Sequence, residues 1–171
     1  AFVELEDYLE ELVKDARDGN DRARREALYQ GRDLEGEAGK GRAMTSTAWK
    51  VDGLEVVPRG EIDEKQAPLL DLVEGRLHAF IYCGQPNQVH TALAVARENG
   101  FLANSTFVLD TRCWKAADTV AESGVPVILT GSQVVTDRDP VTGAALETFA
   151  PGVFSAAGAR SAMSSPASGP H

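Results

Sequence analysis

Two cysteines among 171 residues exclude a disulfide-stapled scaffold, which needs several paired thiols in place of a large core. Basic side chains are also scarce, with 17 against 26 acidic ones and a formal charge of −9. With no basic stripe interleaved with aromatics, a phosphate-binding face is not expected, and nucleic acid is not an expected partner. Long apolar runs are missing too. The longest, Pro126 to Thr130 and Phe80 to Cys83, fall far short of the roughly 20 residues that cross a bilayer, so no membrane span is expected. The chain opens on Ala1 without a methionine or a signal-like apolar region, which reads as a processed or partial chain of unassigned compartment. What remains, 43% apolar and 25% charged, suits one globular domain or part of a larger one.

Leu5, Tyr8, Leu9, Leu12, Val13 and Ala16 recur at three- and four-residue steps, with acids early and Lys14 and Arg17 late. That spacing predicts a helix ending near Gly19, with a second, thinly apolar helix over residues 21–30. Four glycines between Gly31 and Lys50 predict a long loop. Beyond Ile62 the pattern becomes regular. Asp63 with Gln66 resembles a capping box for a helix that runs to Gly75. Leu77 to Cys83 reads as a buried strand, and Pro86 opens a helix to Gly100. Thr106 to Leu109 reads as a second strand, residues 112–123 as a helix, and Pro126 to Thr130 as a third strand. Strands alternating with amphipathic helices predict an α/β fold with right-handed crossovers and a parallel sheet, doubly wound or barrel. The repeat of roughly 20 to 27 residues suits a barrel unit. Three regions follow: 1–60 helical and loop-rich, 61–165 β/α units, and 166–171 a flexible tail.

Reacting groups in parallel sheets stand at the carboxyl ends of the strands. That rule selects Tyr82, Cys83 and Gly84, then Asp110, Thr111 and Arg112, then Thr130, Ser132 and Gln133. A nucleophilic Cys83 needs a base, and His90 lies about two helical turns into the next helix, so both Cys83 and Cys113 are expected to fill space. A metal centre needs converging His, Cys or carboxylate groups. None of His78, His90 and His171 stands at a strand's carboxyl end. Asp137 and Asp139 resemble the opening of a calcium loop, but Val141 and Thr142 occupy positions that need a ligand and a glycine, so a polar turn before Pro140 is expected. Gly39-Lys40 is no phosphate loop, because Leu34 replaces the first glycine. Asn104-Ser105-Thr106 matches the glycosylation triplet, which recurs often by chance.

From Leu5 through Ser165 the chain resembles the central and late portion of imidazolonepropionase-like amidohydrolases of the metal-dependent hydrolase superfamily. The resemblance is carried by Ala1-Phe2 with Asp7-Tyr8-Leu9-Glu10, by Leu69-Leu70-Asp71-Leu72-Val73-Glu74-Gly75, and by Thr91-Ala92-Leu93 with Ala96-Arg97-Glu98-Asn99-Gly100. It continues through Trp114-Lys115-Ala116-Ala117-Asp118 and Gly124-Val125-Pro126-Val127-Ile128. It implies a partial TIM-like (β/α)₈ barrel, in which residues 77–83, 106–109, 126–130 and 160–165 correspond to the fifth through eighth strands. The earlier strands and a small flanking β-domain then lie outside this chain.

The metal ligands that the resemblance implies do not carry over. Family members have a His-x-His pattern where this chain has Tyr82-Cys83-Gly84, and a histidine where the register of Trp114-Lys115 puts Leu109. A shift of one residue offers Asp110 instead. The Ser-Ser-Asp pattern of the eighth strand is replaced by Ser164-Ser165-Pro166. The leading expectation is a catalytically degenerate amidohydrolase-like segment with no cofactor. Its role is structural or partner-binding, in an assembly whose barrel is completed by another chain or by a missing part of the same one. One alternative is an active zinc-dependent C–N hydrolase whose remaining ligands lie elsewhere. Another is a small-molecule pocket at Tyr82, Cys83, Asp110, Arg112, Thr130 and Ser132, with Arg112 clamping a carboxylate.

Overall fold

A computed structural model of the protein describes residues 1–29 and 49–164. Nearly all of the loop expected after Gly31, the Gly39-Lys40 pair, Ser165, Pro166 and the tail to His171 lie outside the described residues. The chain forms two compact units, residues 1–77 and 78–171.

In the first unit, α1 spans Phe2–Tyr29 as one helix, and this corrects the expected break near Gly19. An exposed mid-helix glycine costs only about 1 kcal/mol, and extending a nucleated helix through it is easier than starting a second one. Leu5, Leu9 and Val13, at four-residue steps, are buried, and α1 meets both the short 3₁₀ turn Leu54–Val56 and α2, Ala67–Val73. Helix α2 begins three residues later than a cap at Asp63 predicts. Pro68 supplies its first-turn proline, while Asp63 Oδ1 accepts the Lys65 N–H at 2.7 Å and holds the preceding residues in a turn. Around the end of α2, Arg59 bonds Asp71 at 2.9 Å and Glu74 at 2.7 Å, and Arg76 pairs with the same two carboxylates. The Glu74 side chain is only 1% exposed, so the two guanidinium groups compensate a charge that burial alone would make costly.

The second unit is built on a four-stranded parallel sheet in the order β1 (Ala79–Cys83), β2 (Ser105–Asp110), β3 (Val127–Thr130) and β6 (Ser161–Met163). Helix α3, Pro86–Glu98, joins β1 to β2. A 3₁₀ turn at Thr111–Ala116 followed by α4, Ala117–Ser123, joins β2 to β3. Gly124 ends α4 at φ 69, a left-handed cap that a side chain resists. After β3 comes an antiparallel hairpin, β4 (Val134–Arg138) and β5 (Ala145–Phe149), and then α5, Ala150–Ala156, leads to β6. The expected strands and helices between residues 77 and 130 are present to within two residues, except that the third helix starts as a 3₁₀ turn. The hairpin and α5 have no counterpart in the sequence expectation.

The strand order advances without reversal, so right-handed crossovers bring every helix to one face of the sheet. Burial agrees. Cys83, Phe107, Leu109, Val127 and Leu129 from the strands form one core with Val89, Leu93, Val120 and Phe154 from the helices. Full burial of a side chain such as Phe107 contributes roughly 1.5–3 kcal/mol. The alternate residues of the same strands, Phe80, Tyr82, Val108 and Ile128, are absent from that core. Phe80 is 67% and Tyr82 63% exposed, whereas parallel sheets are ordinarily covered on both faces.

Candidate functional site

The carboxyl ends of β1, β2 and β3 bring together part of the residue set selected from the sequence. Pairing aligns Tyr82 with Val108, and Asp110 with Thr130. Because side chains alternate along a strand, Tyr82, Val108 and Asp110 share the open face. Cys83 and Leu109 do not. They are 1% and 0% exposed in the helix-covered core, so neither lines a surface with Tyr82. The residue at the end of β2 that shares the open face is Asp110.

Asp110 begins the 3₁₀ turn as its cap. Its Oδ1 accepts the Arg112 backbone N–H and the Arg112 Nε, both at 2.9 Å, and Oδ2 accepts Nη2 at 3.4 Å. The Arg112 side chain holds the Asp110 carboxyl below its usual value; partial burial opposes this, and the backbone bond reinforces it. Arg112 is raised in turn, chiefly by Asp110 and slightly by Tyr82. The carboxylate is thus already paired with a cation. Across from it, Thr130 Oγ1 donates to the Leu109 carbonyl at 3.3 Å. Gly131, at φ 100, leaves room where a Cβ would stand 3.3 Å from Thr111 Oγ1 and 3.5 Å from Asp110 Oδ2.

Beyond β1, the Gln88 side chain accepts the N–H groups of Gly84 at 2.8 Å and Gln85 at 3.1 Å, which fixes the entry into α3. The Tyr82 hydroxyl lies over Gly84, 3.4 Å from where a Cβ would stand. Ser132 donates to the Val134 carbonyl at 2.9 Å and belongs to the approach to the hairpin. Pro166 lies outside the described residues.

The thiols are core groups. Cys113 Sγ donates to the Cys83 carbonyl at 3.3 Å, and burial pushes the Cys83 thiol up and Cys113 up to about 11. His78 lies at the opposite, amino end of β1, with Nε2 2.9 Å from Thr106 Oγ1 and its ring edge-on to Phe80; His90 is exposed on α3. Asp139 Oδ1 accepts the N–H groups of Val141 and Thr142 at 2.8 and 2.7 Å, the expected polar turn.

Gly131 and Gln88 were outside the residues selected from the sequence, whereas Thr111 was among them and is buried beneath Gly131. A glycine directly after an apolar strand was the available signal for Gly131. Among the described residues, no three His, Cys, Asp or Glu side chains gather closely enough to hold a metal ion, and no helix is long and apolar enough to cross a membrane. An open cleft of about 380 Å³ lies in the first unit, between Val13, Arg17 and Asp52, and contains none of the selected residues. Comparison with protein-family models, curated proteins and solved structures finds no match for this chain.

Proposed function

We propose that this chain is the later half of an amidohydrolase-like (β/α)₈ barrel with altered metal positions, and that it serves as a structural, partner-binding segment of a larger assembly. The observation that carries the reading is the open face. Four parallel strands in unbroken order, the second unit's described helices packed on one side, and Phe80 and Tyr82 exposed on the other are what half of a closed barrel presents when cut along its axis. A barrel interior is a filled core, and these side chains are of the kind that fills one.

Donor chemistry supports a non-catalytic role. Zinc hydrolysis relies on imidazole, thiolate or free carboxylate ligands around an open position. At the described strand ends the open face offers a phenol at Tyr82, a hydroxyl at Thr130, and a carboxylate at Asp110 already paired with Arg112. This set does not suit the family's zinc. The pairing also weakens the reading of Arg112 as a carboxylate clamp, because its guanidinium is engaged.

Asp110 favours a second reading, since a carboxylate on the open face at the end of β2 is the one ligand type present at an expected position. In that reading the chain is part of an active C–N hydrolase. Elemental analysis of the purified protein, with an amide-hydrolysis assay, separates the two. The structural role predicts far less than one metal per chain and no hydrolysis. One bound metal with hydrolysis, both lost in Asp110→Asn, overturns it.

A further inference from the structure

Asn99 and Gly100 are the only Asn-Gly pair in the sequence. In this dipeptide the asparagine amide is lost most readily, because no side chain on the glycine hinders attack by its nitrogen. The fold nevertheless requires both residues. Gly100 follows α3 at φ 77, in the left-handed region that glycine enters without strain. Its N–H donates to the Arg97 carbonyl at 3.2 Å, and the Phe101 N–H donates to the Ala96 carbonyl at 3.0 Å, the pair of bonds that closes a helix end over its last carbonyls. Asn99 is 6% exposed, and its Nδ2 donates to the Val95 carbonyl at 2.9 Å.

Independently of what covers the open face of the sheet, we propose that Asn99 is a site of spontaneous deamidation that the native end of α3 holds shut, and that the reaction, once it has occurred, keeps that end from closing again. In the reaction the Gly100 nitrogen attacks Asn99 Cγ. A C–N bond forms, the Cγ–Nδ2 bond breaks, and ammonia leaves with the proton that the Gly100 nitrogen gives up. Water then opens the resulting succinimide at either carbonyl, giving aspartate or isoaspartate.

The native geometry puts the attack out of reach. Ring closure needs the Gly100 nitrogen eclipsed with Cβ about the Cα–C bond of Asn99. At ψ 7 it is nearly eclipsed with the Asn99 nitrogen instead, about a third of a turn away. Turning it breaks the bonds from Gly100 and Phe101 and displaces the Phe101 side chain, which is 4% exposed. The reaction therefore proceeds from a locally opened state, and its rate follows the population of that state.

The products do not fit the closed end. A carboxylate in place of the amide has no N–H for the Val95 carbonyl. It sets acceptor against acceptor in a nearly buried site, at the negative end of the α3 dipole. Isoaspartate adds a methylene to the main chain, so the bonds to Arg97 and Ala96 cannot both form. Helix α3 supplies Val89, Leu93 and Ala96 to the interior, and β2 begins at Ser105 just beyond, so the fault reaches an interior strand of the sheet.

The test is peptide mapping by mass spectrometry of the purified full chain, held in mildly alkaline buffer with and without unfolding urea. Asn87, exposed and followed by Gln88, is the internal reference. The expected result is conversion of Asn99 to a mixture of aspartate and isoaspartate about tenfold or more faster in urea than in the native chain, with Gly100→Ala slowing the reaction in urea. Equal rates in the two conditions overturn the protection, and conversion in urea no faster at Asn99 than at Asn87 overturns the site. Asn99→Asp carries the product's charge from the outset. Its urea midpoint is expected below those of the parent and of Asn99→Ala, which loses the same hydrogen bond without gaining a charge. A midpoint equal to the parent's overturns the claim that the reaction keeps the helix end from closing.

Discussion

Asp110 and Thr130 stand opposite one another at the carboxyl ends of two parallel strands, and each is already engaged, Asp110 by Arg112 and Thr130 by the Leu109 carbonyl. A strand end whose polar groups are satisfied internally is organised for holding a turn in place. That arrangement makes the Asp110 cap the first quantity to measure.

Replacing Asp110 by alanine removes a cap and its ion pair and is expected to cost about 1 kcal/mol. Because the folded-state carboxyl lies below its ordinary value, its contribution is present above about pH 4 and is lost as pH falls through the lowered folded value. Thermal melts across that range should lose stability on acidification, and less steeply in Asp110→Asn. An equal slope in the two proteins would contradict the assignment.

Gly131→Ala probes the same corner. At φ 100 an L residue is strained by about 1–3 kcal/mol, and the added methyl approaches the oxygens of Thr111 and Asp110. Urea midpoints should fall accordingly, whereas a neutral substitution would mean that the turn relaxes freely.

Much of the second unit is legible in the sequence because apolar strand runs and helical spacing alternate strongly from Leu77 to Thr130. What is not legible has physical causes. Phe107-Val108-Leu109 is apolar at every position, so periodicity cannot say which side chain faces the helices; the strand-end rule selects Asp110, whereas the register of Trp114-Lys115 in the family resemblance puts Leu109 there. The half-buried side of the β4–β5 hairpin carries Val135, Asp137 and Thr148 while Val134, Leu146 and Phe149 are exposed, so its sequence lacks the apolar alternation that marks a half-buried strand. Gly19 looks like a stop, but its substituent-free side meets nothing within 4 Å, and the helix simply continues.

Both thiols should be inert in the folded protein. The Cys113 thiol, held up to about 11 by burial, stays protonated at neutral pH, so labelling by a disulfide reagent should wait for unfolding and accelerate many-fold in guanidinium. The linkage has a definite sign. A raised folded value means that its contribution is intact below the ordinary thiol value near 9 and fades as pH climbs towards 11. Rapid native-state labelling at pH 7.5 would contradict this.

Phe107 and Phe80 lie on adjacent strands and opposite faces. Phe107→Ala should cost about 3–5 kcal/mol at any protein concentration. Phe80→Ala should cost within about 0.5 kcal/mol in the single chain. Denaturation midpoints check both. A loss as large at Phe80 as at Phe107 would mean that the face is covered within the single chain.

What touches Tyr82 in the assembled protein tests the central claim most directly. With a photoreactive benzophenone side chain in place of Tyr82, irradiation of the concentrated, purified protein followed by peptide mass spectrometry reads out its neighbour. The account predicts that the Tyr82 probe, standing on the open face, forms no cross-link to the chain's own helices α3, α4 and α5. Cross-links to those helices within one chain would contradict it.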